Sequence, residues 1–125
     1  MTKPYPLIIV GGVCGSGKSS LVDGLKAKGY HAHAVAQEHS YSPTMYKMTS
    51  PDYIINLECS METIRKRRHV SWGEDLLNEQ RKRLRDLREN ANLVINTDIK
   101  DIDEVVEVAS SGIEQFIKET KKARG

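Results

Sequence analysis

The most constraining feature of this 125-residue chain lies near its start, where four apolar residues run into a glycine-rich octapeptide. Leu7-Ile8-Ile9-Val10 leads through Gly11 into Gly12-Val13-Cys14-Gly15-Ser16-Gly17-Lys18-Ser19. An apolar run without polar alternation is the pattern of a strand buried on both faces, as in parallel sheets covered by helices. Directly after the octapeptide, residues 18–28 place Leu21, Val22 and Leu25 on one helical face, and Gly29 supplies a C-terminal stop. Strand, glycine loop and helix in that order leave few folds open. Glycines let the chain curl so that successive N–H groups point inward at one anion, and the helix N-terminus adds partial positive charge at the same spot. The spacing satisfies G-x-x-x-x-G-K-[ST] in full, a pattern in which the lysine reaches the β- and γ-phosphates and the hydroxyl ligates Mg²⁺. Lys18 and Ser19 hold those positions.

The remaining pattern alternates strands with helices. His31 to Ala36 reads as a second strand, weakened by its alanines. Residues 37–52 form a polar loop with Pro43 and Pro51, enclosing one helical turn around Thr44 to Met48. Tyr53 to Leu57 is a third strand, and Ser60 caps a short helix running to about Arg68. After a break at His69 to Gly73, a helix is expected over 74–90 with Leu77, Gln80, Leu84 and Leu87 on its inner face. Leu93-Val94-Ile95 is a fourth strand. A last helix from about Ile102 to Glu119 carries Ile102, Val105, Val106, Ala109, Ile113, Phe116 and Ile117 in register, and Asp101 with Glu104 makes a capping box. This order predicts an α/β protein: three α/β/α layers around a mostly parallel sheet of about four strands. No repeat or linker interrupts it, so residues 1–125 read as one domain.

Composition narrows the function classes. Leu, Ile, Val and Phe make up 29 of the 125 residues, above the roughly 20% below which disorder is the default. A net charge of +2 is too small to indicate nucleic acid by bulk charge. Charge is uneven, however: residues 60–91 hold nine Lys/Arg against six acids, and residues 98–119 hold seven acids against Lys100 and Lys118. Cys14 and Cys59 are too few for a disulfide framework and are expected as free thiols in a reducing cytoplasm. No apolar run approaches the ~18 residues of a membrane span, and the start of the chain lacks the long apolar stretch of a signal peptide.

With Gly15-Ser16-Gly17-Lys18-Ser19-Ser20 the chain resembles the P-loop NTPases, and among them small kinases such as the shikimate, adenylate and deoxynucleoside kinases. Two further stretches are similar to that group. Pro51-Asp52-Tyr53-Ile54-Ile55-Asn56-Leu57-Glu58 resembles its P-D-x-x-I-x-L-D strand, and Ala91-Asn92-Leu93-Val94-Ile95-Asn96-Thr97-Asp98 resembles its A-D-x-V-I-D-T-D strand. The resemblance implies Mg²⁺–ATP at Gly12, Val13, Cys14, Gly15, Ser16, Gly17, Lys18, Ser19 and Ser20, with Thr97 and Asp98 bordering the adenine. It also implies a lid after the short helix, whose arginines contact adenine and the transferring phosphate. Arg65, Lys66, Arg67 and Arg68 end that helix; Arg65 is expected on the nucleotide and Arg68 at the developing charge. In one respect the chain departs from the group. Between the second strand and the P-D-x-x-I strand such kinases carry a further strand and helices, which supply much of the acceptor site and often the Walker B acid. Here residues 37–50 fill that interval.

Glu38 follows the second strand, where the resembled kinases carry a carboxylate that binds Mg²⁺ or accepts the acceptor's proton. It is the first choice for base and metal partner, with Glu58 at the next strand's end as rival. The stripe of Arg81, Arg85 and Arg88 suits a polyanion, though an exposed helix face offset by Glu79, Asp86 and Glu89 explains it as well. His31 and His33 share a strand face without accompanying ligand spacing and read as packing or solvent-facing residues. Trp72 reads as a hydrophobic anchor rather than a base-stacking ring. The expected activity is therefore transfer of the γ-phosphate of Mg²⁺–ATP to an unidentified small acceptor, without nucleic acid or membrane partners. The alternatives are a nucleotide-binding regulatory module with slow or no hydrolysis, and a nucleic-acid-binding module using the basic middle.

Overall fold

A computed structural model describes residues 5–124. The chain runs β1 (Leu7–Gly12), α1 (Lys18–Ala27), β2 (His31–Ala34), 3-10 turns at Gln37–His39 and Met45–Thr49, then β3 (Tyr53–Glu58) and α2 (Met61–Arg67). It continues with α3 (Glu74–Arg83), α4 (Arg85–Glu89), β4 (Leu93–Asn96) and α5 (Ile102–Arg124). The strands form one sheet in the order β2-β1-β3-β4, and every neighbouring pair is parallel. Helices lie on both sides, giving the expected three-layer α/β/α arrangement. β1 is central, paired to β2 on one side and β3 on the other, which is why all six of its residues are buried. Among the described residues no helix is long and apolar enough to cross a membrane.

One face of the sheet is a continuous apolar layer. Ile8, Val10, Ile55, Leu57 and Ile95 pack against Leu21, Val22 and Leu25 of α1 and against Val105, Val106, Ala109 and Ile113 of α5. The two helices approach so closely that a Cβ on Gly24 would lie 2.5 Å from a Val106 methyl carbon. The Asp101 carboxylate accepts from Glu104 N–H at 2.8 Å and Glu104 returns the bond to Asp101 N–H at 3.3 Å, so the capping box starts α5.

The opposite face carries two smaller clusters, Ile9 with Tyr46 and Leu87, and Val13 with Cys59, Met61, Ile64, Leu77 and Leu84. β2 pairs directly with β1, and the segment over residues 37–50 covers Ile9 with Tyr46. Buried Gln37 organises that segment. Its Oε1 accepts from Tyr46 N–H at 3.0 Å and its Nε2 donates to Ser42 O at 2.7 Å. The Tyr46 hydroxyl donates to Asp86 Oδ2 at 2.5 Å, and burial followed by this bond pushes the phenol up to about 12.

Three element boundaries differ from the sequence expectation. β2 ends at Ala34 rather than Ala36, because Gly11 and Gly12 of β1 pair only with β3 and the chain turns at Gln37. The helix expected over 74–90 opens at Leu84 (φ −90°, ψ −5°) into α3 and α4. This bend sends Leu84 into the cluster beneath the glycine loop and Leu87 onto β1, where its Cδ1 lies 2.7 Å from the place a Cβ on Gly11 would take. α5 extends to Arg124, and Ile102 at its start is largely exposed rather than core.

Candidate phosphate-binding site

The loop between β1 and α1 turns on glycines in left-handed backbone, Gly15 at φ 84° and Gly17 at φ 103°, a region that penalises any Cβ. Ser16 N–H bonds back to Val13 O at 3.1 Å and closes the loop. Among the described residues, the N–H groups of Gly15, Gly17, Lys18, Ser19 and Ser20 meet no protein acceptor. They border a cavity of about 240 Å³, whose walls also include Cys14, Glu38 and Arg68. A run of unpaired donors at a helix start is an anion site by its electrostatics.

Lys18 lies across this cavity. Its Nζ donates to Gly12 O at 2.9 Å and is ion-paired to Glu38 Oε2. Burial pushes the ammonium down to about 8, with Arg68 adding to the shift and the Cys14 sulfur opposing it. Glu38 lies on the 3-10 turn after β2, at the carboxyl end of the sheet, and is 3% exposed. The Glu38 backbone carbonyl accepts from Arg83 Nη1 at 3.2 Å, which fixes that turn, and its Oε1 is buried without a partner. His39 Nε2 is 3.8 Å from Glu38 Oε2. Glu38 is thus brought to the loop. Glu58, the rival acid, is turned instead to Arg88, with which it is ion-paired.

A second cavity of about 280 Å³ lies on the other side of the start of α1, lined by Ser20, Arg67, Thr97, Lys100, Ile102 and their neighbours. It shares Gly17 and Ser20 with the first. Thr97, after β4, is 2% exposed; its hydroxyl donates to Ser16 O at 2.9 Å and accepts from Arg67 Nη1 at 3.1 Å. Arg67 also donates to Gly15 O at 3.0 Å and to Thr97 O at 2.6 Å, so one guanidinium ties the glycine loop to the end of β4. Arg68 donates to Cys14 Sγ at 3.3 Å on the first cavity's wall. Arg65 lies beside Gly73 and lines neither cavity. Asp98 also lines neither. Its carboxylate accepts from Ser60 N–H at 2.8 Å and from the Thr63 hydroxyl at 2.7 Å, bonds that hold it below the usual carboxylate range.

Two residues that brace the site are not singled out for it by the sequence. Gln80 is buried, and its Oε1 accepts from Cys14 N–H at 2.9 Å, bracing the loop from α3. A polar residue in an otherwise apolar stripe of Leu77, Leu84 and Leu87 is the signal that could have found it. Arg83 is the other; nothing in its spacing separates it from the neighbouring basic residues. Trp72 is partly buried against the cluster of Val13, Ile64 and Leu77. His31 and His33 bring their Nε2 atoms to 3.2 Å on edge strand β2, and among the described residues no group of three or more metal-ligating side chains gathers. Cys14 is partly exposed and Cys59 buried, both as free thiols. No protein-family model matches the chain, and no curated protein matches it.

Proposed function

We propose that this chain is a compact P-loop phosphotransferase that binds a Mg²⁺–nucleoside triphosphate at the Gly12–Ser20 loop and passes its γ-phosphoryl group to a small acceptor. One observation carries the reading: five N–H donors without acceptors border the same cavity as the Lys18 ammonium, which is held there by a buried carboxylate. Such a constellation is costly to leave unpaired and favourable around phosphate oxygens. The adjoining cavity, reached past Gly17 and Ser20, offers room for the nucleoside beside Thr97 and Arg67.

Each side chain then has a chemical task. Lys18 exchanges Glu38 for phosphate oxygens and neutralises charge on the β- and γ-phosphates. That exchange frees the buried Glu38 carboxyl group to act as the base, accepting the acceptor's hydroxyl proton as the oxygen attacks phosphorus and the bond to the bridging oxygen breaks. Arg68, at the cavity wall, stabilises the charge that spreads over the transferring oxygens. The donor set suits a hard cation: Ser19 Oγ and the unpartnered Glu38 Oε1 are oxygen ligands of the kind Mg²⁺ accepts. Those residues would hold it, and when bound it supplies further charge neutralisation on the phosphates.

The test is single-turnover transfer of a labelled γ-phosphate to small hydroxylated compounds. Transfer is expected to need Mg²⁺ and Lys18. Triphosphate binding that is indifferent to the Lys18→Ala change would contradict the reading.

A further inference from the structure

Parallel sheets bind ligands where neighbouring strands send their following loops in opposite directions. In the order β2-β1-β3-β4 that point lies between β1, whose connection leads to β2, and β3, whose connection leads to β4. The phosphate-binding loop rises from one side of it. On the other side, between the carboxyl end of β3 and helices α3 and α4, is a separate crevice of about 160 Å³. Val13, Cys59 and Leu84 give it apolar walls, and Glu58 also lines it. Pockets for drug-sized ligands run to roughly 300–1,000 Å³, so its occupant is small.

Asn56 lies in the wall of this crevice and is 2% exposed, and its Oδ1 is buried with no hydrogen-bond partner. A buried amide oxygen left without a donor is destabilising unless a ligand satisfies it. It occupies a strand position whose neighbour two residues back on the same face is Ile54, which packs against Ile9 and Leu87. An apolar residue at 56 would continue that face. The rim carries two guanidinium groups, Arg81 and Arg88, beside the Glu58 carboxylate. Arg81 makes two long hydrogen bonds, 3.3 Å to Asn78 Oδ1 and 3.4 Å to Cys59 O. Arg88 is ion-paired to Glu58, so an incoming carboxylate or phosphate shares or takes over that guanidinium while Glu58 turns outward to solvent.

We infer that this crevice is a second binding site, for a small organic anion that presents a hydroxyl or amide donor to Asn56 Oδ1 and its anionic group to Arg81 and Arg88. Through Val13 the crevice shares a wall with the phosphate-binding loop. Binding itself needs no nucleotide.

The experiment is carried out without nucleotide, so its outcome is separate from that of the triphosphate site. Thermal denaturation of the full chain is followed with glycolate, glycerate and glycerol 3-phosphate, with glycerol and inorganic phosphate as controls lacking one of the two groups. At least one hydroxylated anion is expected to raise the Tm of the wild type more than either control. Arg88→Ala should weaken that response and Asn56→Leu abolish it. Asn56→Leu should itself leave the Tm of the free protein unchanged or raised, because it removes an orphaned amide. A lower Tm for free Asn56→Leu, a response to the anions that survives it, or no response to any of the three anions would overturn the proposal.

Discussion

The two faces of the sheet are held by different means. On the α1/α5 face, fourteen buried residues among those described form one apolar cluster, with close approaches at Gly24 and Gly112, where a Cβ would lie 2.5 Å from Val106 and 2.6 Å from the Tyr53 hydroxyl. On the other face the apolar contacts split into clusters of three and six buried residues, and polar side chains join them. Gln37 bridges the segment over residues 37–50 to α3, Tyr46 bonds Asp86, Gln80 bonds the glycine loop, and Arg83 bonds the carbonyl of Glu38. The first face sets how stable the protein is. The second sets where Glu38 and the loop stand, and it does so with directional bonds because its apolar clusters are small.

The largest effect is expected at the functional end of the second face. Glu38→Gln retains shape but removes the carboxylate, so single-turnover phosphoryl transfer should fall about 10²–10⁴-fold while the triphosphate-induced thermal shift survives. Normal turnover in Glu38→Gln with loss in Glu58→Gln would move the base to the other strand end. On the first face, Leu25→Ala should cost about 2–5 kcal/mol in denaturant unfolding, with the response to triphosphate intact in the protein that remains folded. A cost below 1 kcal/mol would mean that the apolar face does not dominate stability.

The pH dependence is next in size. On the proposed function, triphosphate binding should need the ammonium of Lys18, whose pKa burial pushes down to about 8, so affinity should fall as pH rises through that value. Loss should begin at about pH 8 and then approach tenfold per pH unit. Affinity measured from pH 6.5 to 9.5 checks this, and Lys18→Arg should flatten the upper limb. The smallest effect belongs to the polar bridge on the second face. Tyr46→Phe removes one buried hydrogen bond and should cost about 0.5–1.5 kcal/mol. A double-mutant cycle with Asp86→Ala would show the coupling, and additive effects would show that the bridge holds nothing.

The same division explains what the sequence made legible. β1, α1 and α5 could be read because their apolar spacing is repeated over several turns or a full strand and nothing polar competes. The glycine loop could be read because left-handed backbone at Gly15 and Gly17 admits few residue types. The join at Leu84 could not, since the apolar stripe runs through it unbroken and only the need to serve two clusters opens the helix. Asp98 and Arg65 were expected on the nucleotide from the resemblance, whereas the geometry commits Asp98 to the start of α2 and leaves Arg65 beside Gly73. Arg67, one residue along the helix from Arg68, ties the loop to Thr97. A run of four basic residues carries no spacing information about which of them faces the site.

The central claim is that the Gly12–Ser20 loop is a triphosphate site built around Lys18. Equilibrium denaturation with Mg²⁺–ATP at about 100 times its Kd tests it, comparing the wild type with Lys18→Ala. The wild type should gain roughly 2.7 kcal/mol from the ligand and the variant only a small fraction of that. Equal gains in both proteins, or none in the wild type, would contradict the account.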